Sequence, residues 1–404
     1  MDNVKTSNKD SAKIKIVGIG GAGNNAIRNI IKKGINVLPS SSELPMFFTK
    51  ARYEVDVEYI AINTDAQQLY MLKEECDEIL KDQGKELKII TIGKDNKDTG
   101  FRKGQGAGGD PERGRKAAED SLDEIKEALK DADMVFLTAG LGGGTGTGAT
   151  PVIAKALKEM GILTVAVLIT PFLFEGERIL KAREALADIQ GYVDSFMVIS
   201  NEKLKNIARK DLTFLDVMKM ADNVLYRAIK GIVEVISYPG YINLDFADVE
   251  SVLRDGGYAL IGLGASTGEN RIKDALEKAV QNKLLTLNNI KGAERILVNI
   301  CGGPDIRMEE VTYVGEHIKS LTNRDDAVVY LGVTVDPKAT GKVEVTIIAT
   351  NFSQTFTIED IMDIPKNQDL TAVKSPFFGF SSSSSSEELL PGDEGLFGLL
   401  LEEE

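Results

Sequence analysis

The residues best suited to chemistry in this chain form a run of glycines and threonines, GLGGGTGTG at residues 140–148. The run has six glycines in nine residues and stands between a strand pattern and a helix pattern. Glycines let successive backbone N–H groups turn towards one anion, and the two threonine hydroxyls add donors. Because the run has no lysine, it is not the GxxxxGK[ST] loop. The spacing predicts a phosphate-binding loop.

Two further glycine clusters also open helices. GIGGAG at residues 18–23 matches GxGxxG, and GQGAGGDPE occupies residues 104–112. A dinucleotide site needs an acid about 20 residues after its glycine loop, whereas the nearest candidate, Asp65, comes some 40 residues later. Three such loops suggest one polyphosphate held from several sides. A nicotinamide-dependent oxidoreductase is therefore the weaker interpretation.

Two acids have a spacing that suits hydrolysis. Asp245 and Asp248 lie three residues apart in NLDFAD, residues 243–248, at the start of a predicted helix. Both carboxylates can project to one side and orient an attacking water, and such positioning is most of what phosphoryl transfer requires. The alternative is ordinary capping of a helix N-terminus by acids, which the local pattern alone favours.

Alternating strands and helices must position these loops. Strand patterns occupy residues 13–19, 58–63, 134–138, 163–170 and 195–200, and helical patterns lie between them, notably at residues 111–130. Such alternation predicts a doubly wound parallel sheet, whose ligands bind at the carboxyl ends of the strands. The glycine clusters follow those ends.

The second half of the chain predicts a long helix and a second α/β unit. The helix runs over residues 214–237 and stops at Tyr238-Pro239-Gly240. Four strand patterns follow, together with an amphipathic helix at residues 270–285; the strand patterns are residues 258–264, 295–301, 327–333 and 342–349. Residues 38–53 and 74–88 are rich in polar residues, so they are predicted to be surface insertions.

The composition excludes several kinds of site. The chain has 404 residues with one histidine, His317, and two separated cysteines, Cys76 and Cys301. A histidine triad, a histidine-rich metal site and a CxxC motif are therefore excluded. A net charge of −14 argues against a nucleic-acid backbone or an anionic membrane as the main partner. No segment long and apolar enough for a leader or a membrane span is found, which predicts a cytoplasmic protein.

At this point several motifs carry a family resemblance. GGGTGTG, residues 142–148, resembles the signature of the tubulin/FtsZ superfamily of GTPases. YIAINTDAQ at 59–67, GAGGDPERGRKAAE at 106–119, FEG at 174–176 and NLDFADV at 243–249 resemble the FtsZ branch of that superfamily. The resemblance covers residues 13–352. It implies GTP-dependent head-to-tail polymerisation that forms the division ring, with the protein at mid-cell in the cytoplasm.

The glycine loops and the resemblance together define a predicted nucleotide site. Glu175 matches the acid that contacts the ribose. The arginine usual four residues after that acid is replaced by Ile179, and Arg178 stands one residue early. Asp222 matches the guanine-contacting position, where a carboxylate can accept from N1–H and the 2-amino group. The predicted nucleotide-binding residues are Gly20, Gly21, Ala22, Gly23, Asn24, Asn25, Gly106, Ala107, Gly108, Gly142, Gly143, Gly144, Thr145, Gly146, Thr147, Gly148, Glu175, Arg178 and Asp222.

The resemblance also implies how hydrolysis occurs. Asn243, Asp245 and Asp248 form the predicted catalytic element, and in the family these acids reach the γ-phosphate of the neighbouring subunit. Mg²⁺ is expected on the β- and γ-phosphates because hard cations prefer oxygen ligands. The sequence assigns no protein ligand to it. The rival interpretation is a tubulin-like filament that binds nucleotide without useful hydrolysis, and the presence of both acids disfavours it.

The resemblance implies the α/β FtsZ architecture with two folded domains and disordered ends. The predicted divisions are a disordered N-terminus (1–12), a GTP-binding domain with a doubly wound parallel sheet (13–212), a central helix (213–238), a smaller α/β C-terminal GTPase-activating domain (239–352) and a flexible linker with an acidic tail (353–404). Besides GTP, GDP and Mg²⁺, the expected partners are further copies of the chain, and division proteins or a membrane tether that bind the tail. No nucleic acid and no direct membrane insertion are expected.

The tail departs from the family pattern. Asp363-Ile364-Pro365 begins like the family's tether-binding peptide, but the following residues do not continue it. Residues 381–386 are six serines, and residues 387–404 hold seven acids and no base. The apolar residues 395–401 leave two alternatives open, a partner-binding helix and disorder.

Overall fold

Two β-sheets with covering helices form the protein. The computed structural model describes residues 11–35, 54–95, 102–209, 211–237, 240–242, 244–281, 290–336, 339–354 and 356–364. Within these ranges, no helix is both long and apolar enough to cross a bilayer. The observed architecture confirms the predicted α/β fold with a doubly wound parallel sheet and a second, smaller domain.

The first sheet has seven strands, and all its pairings are parallel. Its β-branched strands are buried on both faces, as a parallel sheet between helices requires. In spatial order the strands are β3 (Lys88–Thr91), β2 (Glu54–Asn63), β1 (Ser11–Ile19), β4 (Met134–Gly140), β5 (Leu163–Thr170), β6 (Ser195–Ser200) and β8 (Gly257–Tyr258).

Seven helices alternate with the strands of the first domain in the described part of the chain. Their amphipathic sequences place apolar stripes on the sheet. They are α1 (Gly20–Lys33), α2 (Ala66–Leu80), α3 (Pro111–Asp120), α4 (Leu122–Leu129), α5 (Thr145–Met160), α6 (Glu177–Ile189) and α7 (Asn201–Ile207). Because α1 and α5 begin where β1 and β4 end, their N-termini meet at one edge of the sheet.

The long central helix α8 (Phe214–Ser237) has the predicted bounds. Its 24 residues give a rod about 36 Å long. Its buried face includes Met220, Leu225, Ile229 and Ile232. Asn29 of α1 donates a hydrogen bond to Asn223, and the Tyr226 hydroxyl donates to the Gly34 carbonyl. These contacts fix the helix against the first domain.

The second sheet is mixed and has five strands. In spatial order they are β7 (Gly240–Ile242), β11 (Val328–Val335), β10 (Ala293–Gly302), β12 (Lys342–Phe352) and β9 (Leu260–Thr267). The helices of this half are α9 (Phe246–Leu253), α10 (Arg271–Val280), α11 (Met308–Leu321) and α12 (Ile358–Met362). The strand predicted at 258–264 is in fact two strands, because β8 joins the first sheet before β9 enters the second.

The prediction of a surface insertion at residues 74–88 is wrong. This segment is the second half of α2, a short 3-10 turn and the start of β3. Leu72, Cys76 and Leu80 form a buried stripe at helical spacing, and the many charges lie on the outer face, where Glu75 pairs with Arg28 of α1 at 2.9 Å. A charged face therefore concealed a regular amphipathic helix.

Other predicted boundaries also change. The helix predicted at 111–130 is divided at Ser121, whose non-helical backbone allows its hydroxyl to accept a hydrogen bond from the Gly93 N–H. Residues 353–364 are not a free linker, since α12 folds back onto the first domain. β1 begins at Ser11, and α10 ends at Val280 rather than at residue 285. The insertion at 38–53, residues 1–10 and the tail at 365–404 lie outside the described residues.

Candidate functional site

A cavity of about 660 Å³ opens at the carboxyl ends of β1, β2, β4, β5 and β6. Its size is that of an ordinary small-ligand site. Eleven residues of the predicted nucleotide set line it: Gly21, Ala22, Gly106, Ala107, Gly108, Gly143, Gly144, Thr145, Gly146, Glu175 and Arg178. All three glycine clusters therefore contribute to one cavity.

The N-termini of α1 and α5 supply the cavity with unpaired N–H groups. The residue that precedes each helix, Ile19 or Gly144, makes no side-chain cap, and neither first turn contains an acid. Free N–H groups and the positive end of the helix dipole attract anions. In contrast, α3 is capped by its own Asp110, which accepts from the Glu112 N–H at 2.9 Å. The anion seat is thus formed by α1 and α5.

Glycines serve two different purposes at this edge. A side chain on Gly143 would meet no atom within 4 Å, so this glycine leaves the cavity open. A Cβ on Gly146 would lie 2.5 Å from the Gly140 carbonyl oxygen, and one on Gly148 would overlap the Pro111 carbonyl. Gly23 is pressed in the same way against the Thr138 carbonyl. Gly23 and Gly148 therefore allow elements to pack, and they do not line the cavity.

Thr147 and Gly142 do not line the cavity either. The Thr147 hydroxyl accepts a hydrogen bond from the Gly142 N–H at 2.8 Å and so closes the glycine loop on itself. Thr145 does line the cavity, and its hydroxyl is 2.7 Å from that of Thr64. Of the two threonine hydroxyls expected as donors, only that of Thr145 lies at the cavity.

Glu175 and Arg178 form a charged pair on one wall. Glu175 accepts from the Arg178 guanidinium at 2.7 Å and from the Phe172 N–H at 2.9 Å. Gly176 has a φ of +55°, so α6 starts in a direction that brings Arg178 to the cavity. Ile179, which occupies the usual spacing of the arginine, is buried. The one-residue shift thus leaves an arginine beside the acid.

The wall formed by β2 contains residues that the sequence analysis missed. Asn63, Thr64 and Gln68 line the cavity, as does Asp65, which caps α2 by accepting from the Gln68 N–H. The Asn63 amide donates to the Gln68 side chain at 3.2 Å. A signal for them was present, because polar residues directly after a buried parallel strand lie at its ligand-binding end.

A third wall is apolar and flat. Phe172 stacks on Phe174 with ring centroids 5.0 Å apart, and Phe214 lies 6.0 Å from Phe172. Met218, one turn along α8, completes this wall. Phe174 and Phe214 are 53% and 63% exposed. Flat rings beside an anion seat suit the base of a nucleotide.

Two polar atoms in the cavity wall have no partner within the described residues. They are Oδ1 of Asn201 and Oγ1 of Thr170, and both side chains are buried. Buried polar atoms are normally hydrogen-bonded. Their position at the cavity makes them available to a bound ligand or to water.

Asp222 and Asn24 do not line the cavity. Asp222 is on α8, one turn beyond Met218, and burial raises its pKa to about 6 although the charge of Arg28 opposes this. Both polar side-chain atoms of Asn24 are buried without a partner in the described part of the chain. Gly20 and Asn25 also lie outside the lining, and Asn25 accepts from the Arg28 guanidinium.

The two predicted catalytic acids are not at this cavity. Asp245 accepts from the Asp248 N–H at 2.9 Å, and Asp248 accepts from the Asp245 N–H at 3.0 Å. This reciprocal pair caps α9, so the capping alternative is realised in the isolated chain. Asp245 is exposed and Asp248 is partly buried. Asn243 lies outside the described residues.

A protein-made metal site is not found in the described ranges, where no three acidic, histidine or cysteine side chains group around a point. The oxygen donors next to the anion seat are the Thr145 hydroxyl and the Asp65 carboxylate. Such hard oxygens suit Mg²⁺ that arrives with a polyphosphate and keeps several waters.

Known proteins match this chain in sequence and in fold. The family model for the Tubulin/FtsZ family, GTPase domain, matches residues 13–209, and that for the FtsZ family, C-terminal domain, matches residues 257–353. The cell division protein FtsZ of Buchnera aphidicola subsp. Baizongia pistaciae is 41% identical over 342 residues, which cover 84% of this chain and 79% of that protein.

Two further comparisons agree. The cell division protein FtsZ of Pseudomonas putida is 41% identical over 351 residues, with coverage of 87% of this chain and 78% of that protein. Among solved structures, the empty FtsZ dimer of M. jannaschii has a TM-score of 0.71 at 39% identity and covers 87% of this chain and 91% of its own. Sequence and architecture thus agree over most of the chain.

Proposed function

Because this chain belongs to the FtsZ family of tubulin-like cell-division GTPases, we propose that it binds GTP in the cavity and polymerises head to tail. One observation carries the proposal. Two uncapped helix N-termini converge on a cavity with a flat apolar wall, while the acids suited to hydrolysis lie on another part of the surface. The cavity is equipped to hold a nucleotide and needs a second molecule to cleave it.

The cavity walls suggest how GTP is seated. The phosphates occupy the N-termini of α1 and α5, where N–H groups and both helix dipoles neutralise their charge. Glu175, held by Arg178, accepts from the ribose hydroxyls. The base lies against Phe214 and Met218, within reach of the unpartnered oxygen of Asn201. Asp222 then accepts from guanine N1–H and the 2-amino group, once side chains around α8 shift to admit the base.

Magnesium binds with the phosphates in this proposal. The cation would be held chiefly by phosphate oxygens and by water, and the Thr145 hydroxyl is an oxygen donor of the chain in the same cavity. When bound, it neutralises charge that develops on the phosphates. The chain itself contributes the backbone N–H groups that fix the γ-phosphate in position.

Hydrolysis requires acids from the next subunit. Asp245 is exposed, Asp248 is partly buried, and each uses one carboxylate oxygen to accept from the other's backbone N–H group, so the cap does not use the second oxygen of either acid. Placed over a neighbour's γ-phosphate, they would orient and polarise the attacking water. Asn243 completes the loop in which they lie. The same acids thus cap α9 and serve the neighbour's GTP.

Exposed apolar side chains mark the two surfaces that meet. At the cavity mouth, Phe174 and Phe214 are more than half exposed. At the other end, Tyr241 and Met308 are 59% and 78% exposed. β7 pairs with one end of β11, and the same end of β11 adjoins the end of β10. From that end of β10 the chain enters α11, which begins at Met308. Tyr241 and Met308 therefore lie at the same end of the sheet as the acids. Burial of both sets against each other would stabilise a head-to-tail contact.

The proposed cellular role follows from the family. The filament works in the cytoplasm at the mid-cell division site and forms the division ring, and division proteins or a membrane tether bind residues 365–404. A filament that binds GTP without useful hydrolysis is the second candidate. The presence of both Asp245 and Asp248 in a cap at the protein surface favours the filament that hydrolyses GTP.

The decisive experiment measures phosphate release and light scattering together at a series of protein concentrations, with GTP and with ATP. We expect GTP turnover per subunit to be near zero when the protein is dilute and to rise once scattering shows polymers. ATP should support neither. Turnover that is independent of concentration would mean that one chain completes its own active site.

A conservative variant separates catalysis from capping. Asp245→Ser keeps a good N-cap, so α9 and the fold should be unchanged. GTP binding should also persist, because the cavity is untouched, but turnover in polymers should fall about a hundredfold or more, since one water-orienting carboxylate is lost. If Asp245→Ser kept the wild-type rate of GTP turnover, the acid pair would cap α9 and would not take part in hydrolysis.

A further inference from the structure

The chain returns to the first domain after the last strand of the second. β12 ends at Phe352, and residues 356–364, here called the return segment, include α12. α12 packs against α6 and β6 of the first domain. Ile361, Met362 and Ile364 of this segment are buried. The segment therefore ties the end of the second domain to the surface of the first.

Charged side chains of the first domain face the return segment. Glu359 pairs with Arg183 of α6 at 2.6 Å. Burial lowers the pKa of Lys203 of α7, and the charge of Asp363 opposes that effect. α12 itself is closed by a reciprocal cap between Thr357 and Asp360. The segment is thus attached by an ion pair as well as by its buried apolar side chains.

Aromatic rings join the segment to both sheets. Phe356 lies 5.7 Å from Tyr258 of β8 and 5.4 Å from Phe352 of β12, measured between ring centroids. Tyr258 in turn lies 5.6 Å from Phe196 of β6. This cluster contains residues of the first sheet, of the second sheet and of the return segment. Removal of Phe356 from it would loosen the contact between the sheets.

The packing around the segment is incomplete. A cavity of about 470 Å³ lies between the segment and the two domains, with Ile361 and Phe356 in its wall. The side chains of the Arg183–Glu359 pair are 50% and 25% exposed, so water screens this ion pair and it adds little to stability. The segment is thus attached less firmly than a core element.

We propose that the return segment is a releasable latch between the two domains, opened by force on the chain beyond Ile364. Residues 365–404 are attached directly to its end, so any partner that holds them pulls on the latch first. When the latch is closed, the second sheet is fixed to α6 and β6. When it is open, the two domains remain joined through α8, β8 and the contacts of α9 with β5 and β6, and can rotate against each other about these connections.

The proposal can be tested by pulling on the full chain with an optical trap, with handles at Met1 and Glu404. We expect a reversible step at low force, before any unfolding, that lengthens the chain by about 30 Å, since nine residues extend by roughly 3.5 Å each. Arg183→Glu should lower the force of this step, and the double variant Arg183→Glu with Glu359→Arg should restore it. A first event much longer than this, or a step unaffected by Arg183→Glu, would overturn the proposal.

Hydrogen exchange of the protein without nucleotide provides a second readout. Arg183→Glu should speed exchange in residues 356–364, β8 and the end of β12 by roughly threefold to tenfold, and the charge-swapped double variant should return it to the wild-type rate. A chain that ends at Asn367 should behave like the full chain, whereas one that ends at Gln354 should exchange about tenfold faster in β8. Equal exchange in the two shortened chains would overturn the latch. Neither readout depends on GTP hydrolysis, so a failed latch is distinguishable from a failed GTPase assignment.

Discussion

Asp222, the proposed guanine contact, lies where its own charge is disfavoured, so we expect the nucleotide affinity to depend on pH. Its pKa is raised to about 6 by burial, so without nucleotide the folded chain holds this proton between about pH 4 and pH 6, where the unfolded chain has released it. The folding free energy contributed by Asp222 is therefore most favourable below pH 4 and is lost as the pH rises through 6. In the proposed complex, the guanine N–H groups donate to the ionised carboxylate of Asp222, so nucleotide binding opposes protonation of this side chain.

We expect the affinity for GDP to be constant above about pH 6.5 and to fall as the pH drops below 6, by as much as about tenfold per pH unit. Asp222→Asn should abolish this pH dependence. It should also reduce the preference for guanine over adenine, because a neutral amide accepts hydrogen bonds from guanine N1–H and the 2-amino group less well than a carboxylate does. Titration with fluorescent GDP and ADP analogues between pH 5 and 7.5 measures both effects. The same pH profile in Asp222→Asn would remove Asp222 from the base site.

Individual residue roles were only partly predictable from the sequence. Gly143 and Gly148 belong to one motif, yet Gly143 faces the cavity and Gly148 allows two helices to pack closely. The spacing of the motif cannot distinguish the two positions, because an open cavity and a tight contact between helices both require a residue without a side chain. Thr64 and Asn201 were not among the predicted site residues, although they directly follow buried strands. A single polar residue at the end of a strand is a weaker sequence signal than a glycine loop. Arg178 lies beside Glu175 in the structure in spite of its unusual spacing, and its role in nucleotide binding stays a prediction.

At the scale of elements, α3 and α5 are in close contact because Gly148 and Gly114 have no side chains. A Cβ on Gly148 would overlap the Pro111 carbonyl, and one on Gly114 would lie 2.5 Å from the Gly144 carbonyl oxygen. Any larger residue must push these helices apart. The loop before α5, which lies at the anion seat, would move with them.

The matched pair Gly148→Ala and Gly143→Ala tests this arrangement. Gly148→Ala should destabilise the protein by about 2–3 kcal/mol, because it overpacks a tight contact. Gly143→Ala should change stability by less than about 0.5 kcal/mol, since open space surrounds that position, but it should weaken GTP binding. Urea unfolding and nucleotide titration measure the two effects. Equal stability losses would show that the two glycines are equivalent.

Elements were predictable where hydrophobic periodicity was strong. The 24 residues of α8 were predicted with the observed bounds because an apolar stripe ends at a Tyr-Pro-Gly break. α2 was misjudged, since the charges on its outer face outnumber the residues of its buried stripe. α12 was taken for linker because five residues carry too little periodicity. Its fold depends on contacts with α6 and β6 that are distant in sequence.

At the scale of the whole molecule, the apolar residues at the two ends suggest how strongly subunits associate. Met308 is 78% exposed at the first residue of α11. Met308→Glu should leave GTP binding and the fold intact, because the side chain has few contacts in the single chain. It should raise the protein concentration needed for polymers by about tenfold or more, since a charge would be buried in the contact.

Sedimentation in the presence of GTP measures that concentration. Lys319→Glu, on the same helix but one helix length away from the proposed contact, is the control and should assemble nearly as the wild type does. An unchanged threshold in Met308→Glu would place the subunit contact elsewhere. A variant that no longer binds nucleotide would show that the substitution disturbs the fold.

The central helix gives the proposed filament a direction of communication. The first turn of α8 lines the nucleotide cavity, and its last turn leads into the segment that contains the acids. A rod about 36 Å long therefore links the nucleotide that a subunit holds with the acids that it presents to the next subunit. Because such a helix is rigid along its axis, a displacement of one end also moves the other end. In a row of subunits, the effect of hydrolysis in one subunit would reach the neighbour on one side and not the neighbour on the other. The change from GTP to GDP would therefore proceed along the polymer from one end.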